Sequence, residues 1–165
     1  VWMGASMKIS ILCVGKIKEK FYREAIAEYE KRLSRYCKLE ICEVADEKKP
    51  DSPSALEKKQ ILEREAQRLD KYLRPDAYVI ALAIDGKTMD SVGLSQHLQN
   101  LGIKGCSHIQ FLIGGSLGID EALLRRADMR LSFSEMTFPH QLMRVILLEQ
   151  IYRSYRIMNG EPYHK

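Results

Sequence analysis

Three short segments and a tail carry the residues that could do chemistry. Ile113-Gly114-Gly115-Ser116-Leu117-Gly118 follows an apolar run. Lacking a Cβ, Gly114 and Gly115 let a ligand approach the backbone and let amides point into a pocket. The pair is ambiguous alone, because it lacks the G-x-G-x-x-G spacing and a glycine pair closing a strand is also an ordinary turn. Two further loops raise its value. Asp85-Gly86-Lys87 and Phe133 to Phe138 also follow apolar runs, and in a parallel sheet the carboxyl ends of strands gather on the edge where ligands bind. Core filling is the competing explanation for Phe133, Met136 and Phe138.

At the end of the chain, Asn159-Gly160-Glu161-Pro162 is a turn that would fold Tyr163 and His164 back onto a neighbouring site. Histidine exchanges a proton near neutral pH, so a terminal His in such a place is a candidate for acid-base work, although terminal histidines are ordinarily solvated. Arg144, Arg153 and Arg156 lie on the last helical segment, where the ordinary role of an arginine is a solvated face. His140, next to Pro139, reads as local packing or a cap. The four histidines and four cysteines show no H-E-x-x-H or C-x-x-C spacing, so no metal site is expected. Cys13, Cys37, Cys42 and Cys106 read as reduced thiols.

The elements that must position these residues follow from periodicity. Lys8 to Val14 is a compact apolar run closed by Gly15, a buried strand. Phe21, Ala25, Ile26, Tyr29, Leu33 and Tyr36 recur at helical spacing, and Leu39, Ile41 and Val44 then alternate as a second strand. Asp46 to Ser54 is a polar loop. Ser54-Ala55-Leu56-Glu57 fits a capping box opening a helix to about Leu73, with Leu56, Leu62, Ala66, Leu69 and Leu73 as its buried face. Ala77 to Ile84 is a strand covered on both faces and ended by Asp85-Gly86. A weaker helix spans Ser91 to about Leu101. His108 to Ile113 is another buried strand, Asp120 caps a short helix through Ala127, and Met129 to Phe133 is a last strand. Gln141 to Met158 is a helix with two apolar arcs, Leu142, Val145, Leu148 and Tyr152 against Met143, Leu147 and Ile151. The preferred reading packs one arc on the sheet and the other on a partner subunit. Alternating strands and helices imply an α/β fold with a mostly parallel sheet flanked by helices.

Residues 1–6 read as a cloning remnant ahead of a natural start at Met7, leaving 7–165 as one domain. The 165 residues suffice for one good core. A net charge of +4 and a pI near 8.8 suit a phosphate-rich partner without matching the strongly basic footprint of a simple nucleic-acid-binding domain; a pair of chains would carry twice that charge. The apolar stretches are too short to span a bilayer and no signal-peptide layout is present, so a cytoplasmic location is expected.

Leu82-Ala83-Ile84-Asp85-Gly86-Lys87, then Ile113 to Gly118, then Leu131-Ser132-Phe133-Ser134-Glu135-Met136-Thr137-Phe138-Pro139-His140, and finally Pro162-Tyr163-His164 stand in an order and spacing that resembles the SPOUT class of RNA methyltransferases. Within that class the chain is most similar to the large-ribosomal-subunit methyltransferase H family, over essentially its whole length from Met7. It departs from a stricter family pattern at Ser116-Leu117 and at Glu135.

The resemblance implies a C-terminal trefoil knot, a homodimer, and S-adenosyl-L-methionine held among the knot loops. Carried onto matching positions, Leu82 and Gly114 line the cofactor, and Phe133, Ser134, Glu135, Met136, Thr137 and Phe138 wrap it with backbone groups. It further implies methyl transfer to N3 of a pseudouridine in 23S rRNA of the assembled ribosome. That imide nitrogen must lose its proton while the base is held in line. His164 is then a proton acceptor or base-positioning group, Arg153 holds the RNA or polarises the base carbonyls, and Tyr163 stacks on the base. Whether the tail acts in its own subunit or its partner's stays open. Methylation of another RNA such as tRNA, a catalytically silent RNA- or ribosome-binding protein, and a dinucleotide-dependent enzyme are the alternatives, the last disfavoured by the missing fingerprint.

Overall fold

The computed structural model describes residues 7–165; the reading of residues 1–6 as a remnant lies outside the described residues. Five strands form one sheet in the order β2-β1-β4-β3-β5, every pair parallel. They are β1 (Lys8–Val14), β2 (Lys38–Val44), β3 (Tyr78–Thr88), β4 (His108–Ile113) and β5 (Met129–Ser132). The helices are α1 (Lys20–Leu33), α2 (Ala55–Asp70), α3 (Ser91–Ile103), α4 (Glu121–Arg126) and α5 (His140–Met158).

The continuous apolar runs of β1 and β4 are explained by covering on both faces. Ile9, Ile11, Cys13, Ile109, Phe111 and Ile113 enter one core with α1, α3 and α5, while Leu12, Val14 and Leu112 enter a second with α2 and α4. Gln110 is buried among them and satisfied: its amide donates to the Tyr72 carbonyl at 2.8 Å and its oxygen accepts from the Arg74 amide at 2.9 Å. No helix among the described residues is long and apolar enough to cross a membrane.

Several expectations change in detail. The capping box forms, with Ser54 Oγ accepting from the Glu57 amide and Glu57 from the Ser54 amide. The buried face of α2, however, is Ile61, Glu65 and Leu69, and Leu56 is exposed. Leu69 and Leu73 are buried and Ala66 packs on the core as expected, while Ile61 and Glu65 complete the stripe. Phe21 is likewise exposed, whereas Ile26, Leu33 and Tyr36 are buried as the spacing predicts, and Tyr22 and Tyr29 pack on the core. In α5 the buried stripe of Arg144, Leu147, Leu148, Ile151, Ser154 and Tyr155 cuts across the two proposed arcs. Finally, β3 does not end at Asp85-Gly86. Leu131 pairs with both Leu82 and Lys87, so residues 83–86 loop out and the strand resumes to Thr88. Gly86 is what permits this, since a Cβ there would lie within 2.8 Å of the Arg130 and Leu131 backbone.

Candidate active site

Because β4, β3 and β5 are neighbours in the sheet, the segments at their carboxyl ends meet. They enclose a cleft of about 700 Å3, lined chiefly by apolar side chains and glycine backbone. Leu82 comes from the paired part of β3 and Ala83 to Asp85 from its looped-out part, Gly114 to Ile119 from the loop after β4, and Phe133, Ser134 and Met136 to Pro139 from the segment after β5; His140 and Met143 close it from the start of α5.

Each loop is held locally. Gly118 has φ +89°, a left-handed value natural to glycine, and its amide donates to the Gly115 carbonyl at 3.0 Å. A Cβ on Gly114 would run into the Gly118 carbonyl group. Glycine at 114 is thus required by chain packing within its own loop, whatever ligand comes near. In the third loop Ser134 Oγ accepts from the Met136 amide at 3.0 Å, and Ser132 Oγ donates to the Ser134 carbonyl at 3.2 Å.

The cleft therefore gathers Leu82, Gly114, Phe133, Ser134, Met136, Thr137 and Phe138. Glu135 is the exception: it is exposed and outside the lining, as expected of a carboxylate that would lose its hydration in an apolar slot. His140, read from sequence as packing or a cap, lines the cleft. Burial, then the Arg144 charge, lowers its pKa and holds the imidazole neutral, and its buried Nδ1 has no hydrogen-bond partner. The cleft's size and its mixture of apolar walls with open backbone suit a nucleoside-bearing cofactor.

The tail residues assemble elsewhere. Arg153 donates to His164 Nδ1 at 3.1 Å, its guanidinium lies 4.7 Å from the Tyr163 ring centroid, and Tyr163 Oη donates to Glu149 at 2.8 Å. Glu149 also takes Arg153 at 2.7 Å. Glu149 is the hub that sequence reading missed, although its i, i+4 spacing to Arg153 was a usable signal. Burial, then the bond to Glu149, pushes the Tyr163 hydroxyl up to about 12. A second network fixes the tail's path: Tyr36 donates to Glu161 at 2.5 Å, and Arg156 donates to Tyr36, to Glu161 and to the Pro162 carbonyl. None of Arg153, Tyr163 and His164 lines the cleft. Arg153 is thirteen residues beyond His140 on one helix, roughly 20 Å along its axis.

Arg144, a candidate from sequence, is buried instead. Its guanidinium donates to Glu43 at 2.5 Å and to the Val14 and Gly15 carbonyls at 3.2 and 2.5 Å, tying α5 to the end of β1. Among the described residues no group of three or more His, Cys, Asp or Glu is arranged to hold a metal ion.

Residues 7–164 match the family described as "Predicted SPOUT methyltransferase". The chain belongs to the SPOUT methyltransferase family. It is 62% identical over 159 residues to the ribosomal RNA large subunit methyltransferase H of Bifidobacterium adolescentis, covering 96% of this chain and 100% of that one. It is 57% identical, with the same coverage, to the protein of that name from Bifidobacterium animalis subsp. lactis. A methylase-family protein of Haemophilus influenzae superposes with a TM-score of 0.54 at 12% identity, over 98% of this chain and 71% of that one, and so shares the fold. This SPOUT methyltransferase thus has its strand-end cleft and its tail cluster at opposite ends of α5.

Proposed function

We propose that this chain is a cytoplasmic S-adenosyl-L-methionine-dependent methyltransferase acting on N3 of a pseudouridine in 23S rRNA, working as a homodimer of single-domain, trefoil-knotted subunits. The carrying observation is the convergence of three neighbouring strand ends on one apolar cleft, in a chain so similar to named large-subunit methyltransferases. When bound, S-adenosylmethionine supplies a methyl group made electrophilic by its sulfonium. Leu82, Gly114 and the 133–138 segment would hold it, and the apolar walls keep water from the reacting centre. Glu135 holds nothing there with its side chain. The knot is what membership of the family implies, and the gathering of the segments after β3, β4 and β5 around one cleft is consistent with it.

The separation just described supports the dimer of this reading. Tyr163, His164 and Arg153 do not reach the cleft of their own chain, so a second copy brings its tail to this one. As long as Arg153 donates to His164 Nδ1, the hydrogen of the neutral ring resides on Nε2. His164 then acts as a donor to a base carbonyl and positions the pseudouridine. Arg153 adds positive charge that favours the imide anion left at N3 once its proton passes to water, and Tyr163 offers a ring for stacking.

Two measurements test this. Calorimetric titration should show binding of S-adenosylmethionine and none of NAD. Incubation with labelled cofactor and ribosomes carrying either pseudouridine or uridine at the target should methylate the former preferentially. Equal labelling of both, or labelling of tRNA alone, rejects the substrate. His164→Ala should keep cofactor affinity while slowing transfer; joint loss would make the tail a structural element.

A further inference from the structure

We infer that a second cleft, beside the cofactor cleft, binds the backbone phosphates of the substrate RNA. The inference rests on the RNA-methyltransferase reading above and adds the surface that grips the substrate. The cleft has a volume of about 700 Å3 and opens at the carboxyl end of β1, with Lys16, Lys18, Arg23, Glu30, Glu43 and Arg144 in its walls.

Four features make it an anion site. First, the cleft gathers basic residues that no carboxylate among the described residues holds, as Lys31 and Lys38 are also left elsewhere, while Lys8 is paired to Glu40. Lys20, Arg32 and Arg35 are ion-paired to Glu24, Glu28 and Glu161, whereas among the described residues Lys16, Lys18 and Arg23 pair with no carboxylate. Second, Glu43 on the floor is neutralised by Arg144, so three cations face the single remaining carboxylate of Glu30. Third, α1 starts between Lys18 and Arg23 with no side-chain cap: Glu19, its N-cap residue, makes no capping hydrogen bond and the first turn has no acidic residue, so its leading amides have no side-chain acceptor. Fourth, Arg144 is 2% exposed and its Nε has no hydrogen-bond partner. The floor therefore holds one unused donor, while the net positive charge rests on Lys16, Lys18 and Arg23.

Position supplies the connection to the chemistry. His140 and Met143 line the cofactor cleft and Arg144 lines this one; His140 and Arg144 are one helical turn apart, about 6 Å along α5. Gly15 lies between, where a Cβ would meet the His140 ring at 3.5 Å. Both clefts open on the same edge of the sheet, so a strand delivering one base to the cofactor cleft runs its neighbouring phosphates past Lys16, Lys18 and Arg23. Phosphate contacts of this kind fix register and orientation without reading sequence.

The test is the triple variant Lys16→Ala/Lys18→Ala/Arg23→Ala in the full chain, with Lys16→Arg/Lys18→Arg/Arg23→Lys as the charge-retaining control. S-adenosylmethionine affinity and melting temperature report folding, and all three side chains are exposed, so both should match wild type. Ribosome binding is measured across a salt series. The alanine variant should flatten the slope of log K against log salt by about 2 to 3 and raise KM for ribosomes about tenfold with kcat kept, while the control behaves as wild type. An unchanged slope and KM overturn the inference. If wild type binds ribosomes yet transfers no methyl group, the proposed function fails separately, and the salt slope alone still decides the cleft.

Discussion

Replacing Arg144 by Met separates structure from chemistry at the root of α5. Methionine keeps the length of the stem but removes the guanidinium that serves the Val14 and Gly15 carbonyls and Glu43. A buried carbonyl left without a donor costs about 1 to 3 kcal/mol, and two are affected. Glu43 is a third exposed, so water takes up its charge and the loss falls near or below the lower end of the roughly 3 to 5 kcal/mol seen when buried pairs are broken. Removing the unpartnered Nε returns about 1 kcal/mol. The net expectation is a loss of about 3 kcal/mol, which for a chain of this size lowers the melting temperature by roughly 6 to 12 °C. Calorimetry and urea unfolding, with an unchanged m-value, measure it. If Arg144→Met melts within about 2 °C of wild type while methyl transfer disappears, the latch argument is wrong and Arg144 belongs to the chemistry.

Four other outcomes are expected. Burial raises the pKa of Glu65 above its ordinary 4.5, so its stabilising contribution is complete below the unfolded value and is lost as pH rises through the folded one; Glu65→Gln, which can still accept from the Glu47 amide, should raise the melting temperature near pH 7.5 and lose that advantage toward pH 4. A uniform shift at both pH values would show that the carboxyl does not titrate differently on folding. Gly114→Ala forces a Cβ against the Gly118 carbonyl and should cost about 2 kcal/mol or more together with cofactor binding, so retention of both in calorimetry would mean that the loop yields at this contact. Tyr36→Phe, by removing the hydroxyl between Glu161 and Arg156, should leave cofactor affinity intact and lower kcat several-fold through a loosened tail; unaltered kcat would show that the tail is aligned without it. Cys13 and Cys37, whose thiols burial pushes up to about 12, should resist iodoacetamide in the folded protein, and rapid alkylation monitored by mass spectrometry would contradict their burial.

Strands and helices were legible because their apolar spacing is strong: β1, β4 and the capping box at Ser54 lie where the pattern places them. Helix faces were less so. Glu65 and Arg144 occupy buried stripes that hydrophobicity alone assigns to other residues. The looped-out stretch of β3 was hidden because its pairing is set by Leu131, some fifty residues away, and local turn chemistry at Asp85-Gly86 suggests a strand end. For the cleft, each loop's apolar strand gave its approximate position, yet the meeting of the three depends on β4, β3 and β5 being sheet neighbours. His140 reads as packing or a cap, and Glu149 as an unremarked surface acid, until the cleft and the tail are seen around them.

The last helix ties these places together. One end of α5 walls the strand-end cleft and its later turns carry the arginine that gathers the tail, so in the proposed enzyme α5 works as a ruler between the two. Adding or deleting one residue in it would swing everything downstream by about 100° around the axis, turning Arg153 and its companions away from whichever subunit they serve. Substitutions along α5 can be absorbed side chain by side chain; a change in its residue count cannot.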